Sequence, residues 1–332
     1  MQTQNTDKTH IGTVINKSKG RYTVSHHGCS TLCSLSPKLR KHFQFEDNQE
    51  LKTAQAVGIN QKNMGPVAIG DRVTFSSTDA GYGTIEQVAA RRNYLSRRAA
   101  KPMPSAHAFE QVIAANIDQV IPIFAVAEPA PKWHMLDRYL VAAESHQIPS
   151  TIVITKVDLV KDSPSEMSLL EAVDRYRKIG YPVILTSNKS QQGLDQLRMV
   201  LVDQASILVG KSGVGKSSLL NVLEPGLGLR VQAVNASTGK GRHTTTHLEM
   251  FPLAMGGMII DTPGTREFGV WGVEPEEIAD CFPEMRPLLG SCRFGLSCQH
   301  DEEPGCAIRE AVMQNEISPY RYQSYLRLRA DL

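Results

Sequence analysis

The chain has 332 residues, 41% hydrophobic and 21% charged, which is typical of a globular protein and long enough for two to three domains. No stretch approaches 18 uninterrupted apolar residues and the first eight residues carry no apolar run, so we predict no membrane span, no secretory signal and a cytoplasmic location. The net charge is only +2, but residues 1–105 contain 15 Lys and Arg against 7 Asp and Glu, which favours a polyanion partner for that part over a merely solvated basic surface.

Residues 10–90 contain short strand patterns separated by glycine turns and no convincing helix. Residues 11–15 and 21–25 flank a loop of hairpin composition, and residues 69–75 and 83–88 follow further turns. This many short strands in so short a span predicts a small closed β-barrel such as an OB-fold. That fold commonly presents one face to nucleic acid, and the basic charge agrees with such a role.

Residues 91–105 have the composition of a linker. The segment 91–98 carries four arginines and one tyrosine, and prolines at 102 and 104 oppose helix formation. We expect this segment either to contact a nucleic-acid backbone or to be a solvated tether.

From about residue 106 strands alternate with helices. The alternation predicts βαβ units on a parallel sheet. Strands are predicted at 118–126, 151–154, 183–185, 205–209 and 258–260, and helices at 133–147, 164–179, 194–202 and 218–223.

Residues 210–217, GKSGVGKS, stand between a predicted strand and a predicted helix, the context in which GxxxxGK[ST] predicts a phosphate-binding loop. Glycines let successive backbone N–H groups converge on a phosphate, and the helix N-terminus adds its dipole. In this role Lys216 reaches the β- and γ-phosphates and Ser217 binds Mg²⁺. An ordinary glycine turn before a helix is the alternative. The predicted nucleotide-binding residues here are Gly210, Lys211, Ser212, Gly213, Val214, Gly215, Lys216, Ser217 and Ser218.

A guanine-binding motif is predicted at the end of the second strand, where the sequence reads Thr155, Lys156, Val157, Asp158. An aspartate here accepts hydrogen bonds from N1–H and the exocyclic amine of guanine, whereas adenine leaves the carboxylate desolvated and unpaired. Ser187 follows the third strand, where a loop could support the base. Each motif alone is also compatible with a surface turn.

The predicted strand 258–260 leads into DTPG, in which Asp261 would hold the Mg²⁺ shell and the Gly264 N–H would sense the γ-phosphate. Upstream, the polar and glycine-rich residues 235–246 predict a switch segment that becomes ordered when a threonine hydroxyl meets Mg²⁺. Thr245 is our choice for this ligand.

Thr244 and Thr246 remain alternatives to Thr245. The motif order is unusual, because the base-recognition motifs precede the phosphate loop. A circular permutation, in which the chain is cut and rejoined elsewhere, accounts for this order. It also makes the strand ending at Asp261 lead directly into the C-terminal segment, so a nucleotide-dependent switch could move that segment.

Four potential metal ligands cluster near the C-terminus: Cys292, Cys298, His300 and Cys306. Three thiolates and one imidazole make a closed tetrahedral set for one structural zinc ion, with no position left for catalysis. Buried free thiols are the alternative. The remaining cysteines lack neighbouring ligands, and we expect Cys29 and Cys33 to be residues of the barrel and Cys281 to pack in a core.

Together these motifs closely resemble the circularly permuted RsgA (YjeQ) GTPases of small ribosomal subunit biogenesis. The residues that carry the resemblance are ANIDQ at 115–119, GRHTTT at 241–246, DTPG at 261–264, REFG at 266–269 and the cysteine cluster. The resemblance implies an OB-fold RNA-binding domain at 1–100, a circularly permuted P-loop GTPase domain at 106–272 and a small helical zinc-binding domain at 273–332. It also implies a monomer.

The resemblance further implies slow hydrolysis of GTP to GDP and phosphate with Mg²⁺, stimulated by the small (30S) subunit, whose rRNA and proteins would be the partners. It makes His243 a candidate for orienting the attacking water, although a structural role in the switch is an equal alternative. Two features depart from the family pattern. Five residues rather than four separate Cys292 and Cys298, and Thr265 stands where many GTPases have a water-orienting glutamine.

The leading hypothesis is therefore a ribosome-stimulated GTPase. One rival is a non-catalytic rRNA-binding adaptor with a vestigial nucleotide site, against which the intact Lys216, Ser217 and Asp261 argue. Another rival is a nucleotide-driven metallochaperone that uses the cysteine cluster.

Overall fold

The structure is a computed structural model that describes residues 8–18, 20–41, 67–78, 81–98, 110–228, 248–261 and 273–332. The chain divides into two compact units. The first takes in residues up to Asp118 together with 203–207 and 245–263, and the second takes in 119–202, 208–244 and 264–332. Among the helices of these described ranges, none has the length and apolar character needed to cross a bilayer.

The first unit contains a five-stranded barrel. Its strands are β1 (Lys8–Ser18), β2 (Arg21–His26), β3 (Cys29–Leu35), β4 (Arg72–Ser77) and β5 (Tyr82–Val88), with one helical turn at 37–41. Strands β1, β2 and β3 pair in order, β3 pairs with β5, β5 with β4, and β4 returns to β1 and closes the sheet. Val14, Val24, Phe75 and Ile85 point into its core. The predicted N-terminal barrel is confirmed.

The linker prediction for residues 91–105 is wrong over 91–98. Strand β6 (Tyr94–Arg98) pairs antiparallel with β7 (Glu110–Ala115), and Leu95 of β6 is fully buried. One of the arginines that suggested a linker, Arg91, has a structural role. Arg91 donates two hydrogen bonds of 2.8 Å to the buried carboxylate of Asp71. A buried charge requires such a partner.

The first unit also contains a β-hairpin. Strand β12 (Glu249–Pro252) pairs antiparallel with β13 (Met258–Asp261), so that Glu249 lies opposite Asp261. Strand β12 also meets β1, at the pair Asn16 and Glu249. Strand β12 is not among the strands predicted from the sequence.

The second unit contains the alternating pattern that the sequence predicts. Strands β8 (Gln119–Ala125), β9 (Ile152–Thr155) and β10 (Val183–Leu185) are parallel, and β11 (Ala205–Val209), which begins in the first unit, is the next strand after β8. All seven residues of β8 are buried, as expected for a strand with both faces covered. The helices are α1 (Trp133–Glu144), α2 (Pro164–Ile179), α3 (Leu194–Leu201) and α4 (Lys216–Leu223). Gly180 ends α2 in the left-handed conformation, with φ 110°.

The C-terminal part of the second unit is helical. It contains short 3₁₀ turns at Ile278–Cys281, Arg286–Leu288 and Gly295–Ser297, followed by α5 (Ala307–Met313) and α6 (Pro319–Ala330). Further 3₁₀ turns lie at Val157–Leu159 and Pro225–Leu227. The core of this C-terminal part contains side chains from the turn Ile278–Cys281, from α5 and from α6, and Cys281 packs there as predicted.

Candidate nucleotide and metal sites

The phosphate-binding motif forms a tight loop between β11 and α4. Gly213 and Gly215 have φ values of 86° and 94°, which other residues rarely adopt. Gly210 approaches a neighbouring strand so closely that a Cβ atom would lie 2.3 Å from the carbonyl oxygen of Ile123. The glycines of the motif are therefore required by the geometry of the loop itself.

Lys216 is the first residue of α4, and its side chain lies within the loop. Its Nζ donates a 2.7 Å hydrogen bond to the carbonyl oxygen of Gly210, and only 8% of the residue is exposed. Ser217 and Ser218 follow in the same helical turn, which contains no acidic residue. A buried ammonium beside glycine-rich backbone and a helix N-terminus can stabilise an anion such as a phosphate.

The end of β9 contacts the phosphate loop directly. The buried Thr155 hydroxyl donates a 2.5 Å hydrogen bond to the carbonyl oxygen of Val214, and the Thr155 hydroxyl oxygen lies 3.8 Å from where a Cβ of Gly215 would stand. The structure thus brings the first residue of the predicted guanine motif against the middle of the predicted phosphate loop.

Asp158 lies in the 3₁₀ turn that follows β9, and a buried serine orients its carboxylate. The Ser187 hydroxyl donates a 2.6 Å hydrogen bond to Asp158 Oδ1, and the backbone N–H of Ser190 donates to the Ser187 oxygen at 3.2 Å. Ser187 is fully buried. The loops after β9 and β10 therefore meet at Asp158, so a carboxylate and a buried hydroxyl predicted from separate motifs form one arrangement.

Lys156 has a left-handed backbone, with φ 61°, and its ammonium donates to the backbone oxygen of Glu128. Burial lowers the pKa of Lys156, while the carboxylates of Glu128 and Asp158 oppose that shift. Glu128 is not among the residues predicted from the sequence, because it contributes a backbone carbonyl, which carries no side-chain signal. The remaining motif residue, Val157, is buried, and its N–H donates to the Thr186 carbonyl.

Asp261 is the last residue of β13 and is buried in the first unit. Gly264 and Thr265 lie outside the described residues, as do His243, Thr245, Thr244 and Thr246.

The four predicted metal ligands come together. Cys292, Cys298, His300 and Cys306 are all buried, and their ligand atoms lie within 4.8 Å of one another. His300 Nδ1 is 3.4 Å from Cys292 Sγ and 3.5 Å from Cys306 Sγ, and those two sulfurs are 3.9 Å apart. Tetrahedral zinc bonded at about 2.3 Å to sulfur and 2.0–2.1 Å to nitrogen separates its ligands by about 3.8 and 3.5 Å. The cluster could hold a metal ion of this size.

Burial changes the pKa values of three ligands of the cluster. It raises the pKa of the Cys298 thiol to about 12, raises that of Cys306 and lowers that of His300. A bound cation would favour the thiolate forms of these cysteines. The 3₁₀ turn Gly295–Ser297 takes up the five-residue spacing between the first two cysteines. The Tyr322 hydroxyl donates to the His300 carbonyl at 2.8 Å and fixes the backbone there.

Comparison with known proteins identifies the family. Residues 88–271, more than half of the chain, match the family model of the RsgA GTPase. The small ribosomal subunit biogenesis GTPase RsgA of Gemmatimonas aurantiaca is 48% identical over 268 residues, which cover 80% of this chain and 84% of that relative. This chain belongs to the RsgA GTPase family.

Solved structures agree with that membership. YjeQ from Thermotoga maritima superposes with a TM-score of 0.74 at 31% identity and covers 98% of this chain and 99% of its own. YloQ, described as a circularly permuted GTPase, superposes with a TM-score of 0.67 at 28% identity over 100% of this chain and 97% of its own. The predicted family and the predicted fold class, with its barrel and its circularly permuted RsgA GTPase part, are confirmed.

Proposed function

We propose that this protein is a GTP phosphohydrolase that binds the small (30S) ribosomal subunit through rRNA and protein, assists its late maturation, and hydrolyses GTP to GDP and phosphate under stimulation by that subunit. The hydrogen bond from Thr155 to Val214 is the observation that carries the proposal, because it joins the guanine motif to the phosphate loop in one unit. The names of the relatives supply the ribosomal partner. We propose that the protein acts in the cytoplasm as a monomer.

We propose a separate function for each of three segments of the chain. Residues 1–100 bind RNA, 106–272 bind and hydrolyse GTP, and 273–332 hold one structural zinc ion. Lys216 and the amides of the phosphate loop stabilise charge on the β- and γ-phosphates. Roles are assigned to residues as follows: guanine binding to Thr155, Lys156, Val157, Asp158 and Ser187; Mg²⁺ to Ser217, Thr245 and Asp261; the γ-phosphate to Gly264; and the attacking water to His243.

The proposal is tested by measuring GTP hydrolysis by the full chain alone, with small subunits and with large subunits. We expect slow turnover alone and a marked increase with small subunits only. No stimulation by small subunits, together with RNA-dependent activity that survives Lys216→Ala, would instead support the non-catalytic adaptor.

Asp158→Asn is expected to change the preferred base from guanine to xanthine. The asparagine amide donates a hydrogen bond that matches the xanthine 2-carbonyl, whereas it leaves the guanine amine without its acceptor. Competition binding should show at least roughly 100-fold weaker GDP binding and improved binding of xanthosine diphosphate. Asp162→Asn, at an exposed position four residues on, is the matched control. Unchanged GDP affinity in Asp158→Asn would rule out base recognition by this carboxylate.

Removing the proposed zinc is expected to unfold part of residues 273–332, because four buried ligands would lose the ion that holds them together. Cys298→Ser should lower the zinc content below one ion per chain and expose this region to limited proteolysis. Cys281→Ala, a buried cysteine outside the cluster, should keep its zinc. Equal zinc content in both variants contradicts the assignment, and zinc that exchanges freely favours the metallochaperone.

A further inference from the structure

A second candidate binding site is a cleft of about 380 Å³ in the second unit. The cleft lies where the start of α1, the C-terminal half of α2 and one face of α6 come together, and its volume falls in the range of ligand-binding clefts. Among the described residues that line it, none belongs to the proposed nucleotide or metal sites. Whatever the cleft binds is therefore not the nucleotide held by the phosphate loop.

The wall of the cleft carries uncompensated positive charge. Lys132, Arg175 and Arg327 all line it, and none of them forms an ion pair with a carboxylate in the described part of the chain. The acidic residue that lines it, Asp137, is already bound by Arg321 at 2.6 Å. The first turns of α1 and α6 also contain no acidic residue. Such a surface attracts an anion.

Aromatic rings stand beside these cations. Tyr320 is 65% exposed, and the Arg175 guanidinium lies over its ring at 4.3 Å from the centroid. Trp133 lines the same cleft and is only half buried. Flat aromatic and guanidinium faces next to unpaired cations are the combination by which proteins bind single-stranded nucleic acid, since bases stack while phosphates meet the charges. An acidic peptide would use the cations but leave the rings without a role.

We propose that this cleft binds single-stranded RNA, with a base stacked on Trp133 or Tyr320 and phosphates contacting Lys132, Arg175 and Arg327. This inference rests on the proposed function insofar as ribosomal RNA would supply the strand. It adds an RNA contact in the second unit to the one expected of the barrel.

The test measures binding of a fluorescently labelled single-stranded 12-nucleotide RNA to the full-length, zinc-containing protein by anisotropy over a range of salt concentrations. The double variant Arg175→Gln/Arg327→Gln should bind roughly tenfold more weakly and show a salt slope smaller by about 1.4, because two phosphate contacts are lost. Trp133→Ala should weaken binding by roughly tenfold with little change in slope, because it removes stacking and no charge.

Controls separate a direct contact from loss of folding. Lys178→Gln removes an exposed charge from α2 outside the cleft and should leave RNA affinity and slope unchanged. Arg175→Lys keeps the charge, so its salt slope should equal that of the unmodified protein. All variants should retain their zinc and their basal GTP hydrolysis, since none of these residues belongs to the catalytic machinery.

Three possible results of these assays support or overturn RNA binding by the cleft. RNA affinity that is the same in the cleft variants as in the unmodified protein overturns the proposal and leaves the barrel as the RNA contact. Competition by poly-glutamate as effective as that by unlabelled RNA also overturns it, in favour of an acidic protein partner. Cleft-dependent RNA binding without stimulation of GTP hydrolysis by small subunits supports the cleft while the proposed function fails.

Discussion

Lys216→Ala should reduce subunit-stimulated GTP hydrolysis by roughly 100- to 1,000-fold at saturating GTP. The Lys216 ammonium is buried in the loop and bonded to Gly210, so it is held in place before any phosphate arrives. Charge that develops on the β–γ bridge and γ-phosphate oxygens during hydrolysis would then meet a fixed cation rather than a mobile one. Single-turnover rates measured with small subunits separate this effect from weaker nucleotide binding.

Lys211→Ala is the matched control for this prediction. Lys211 lies in the same loop but is exposed, and alanine keeps its backbone N–H. We expect its hydrolysis rate to remain within about threefold of the unmodified protein, since exposed charges contribute little. Lys216→Met, of similar length, guards against collapse of the loop. Retention of most activity in both Lys216 variants would exclude the lysine from transition-state stabilisation.

Arg321→Met should destabilise the protein by about 3–5 kcal/mol. Arg321 is 1% exposed, and its guanidinium donates at 2.6 Å both to Asp137 Oδ1 and to Glu284 Oε1. The guanidinium also lies 4.4 Å from the ring centroid of Phe282. Removing this single cation would leave two largely buried carboxylates without a positively charged partner, which is far more costly than losing a surface ion pair.

The free energy of unfolding from urea titrations measures the loss. Arg198→Met removes the exposed pair with Asp195 and should cost at most about 1 kcal/mol. A triple variant that adds Asp137→Leu and Glu284→Leu to Arg321→Met should recover much of the stability, because it removes the stranded charges as well. Equal losses for Arg321→Met and Arg198→Met would contradict a buried network.

Most of the correct predictions concern features that depend on residues close together in the chain. Helix α2 begins at a proline and ends before Gly180, as the sequence indicates, because proline and glycine act on the backbone where they stand. The metal ligands of the cysteine cluster lie close in sequence, so their meeting needs only a few turns of chain. Thr155 and Val214 are 59 residues apart, yet the predicted parallel sheet places the end of β9 and the loop after β11 at one edge.

Features that depend on distant partners could not be predicted. Strand β6 is defined by its pairing with β7. Its arginines made the segment resemble a linker, although Leu95 is buried. Arg321 and Asp137 are separated by 184 residues, and an arginine on a polar helix is ordinarily a surface residue. Likewise, a backbone carbonyl such as that of Glu128 has no sequence signature. In each case the physical cause lies in tertiary packing, which overrides local composition.

We propose that Asp158 and Lys216 act on one guanine nucleotide. Calorimetric titration of the full-length protein with GDP and with ADP, in the presence of Mg²⁺, tests it most directly. We expect GDP to bind at least roughly 100-fold more tightly than ADP, because adenine leaves the Asp158 carboxylate without its donors. Equal affinity for the two nucleotides would contradict it.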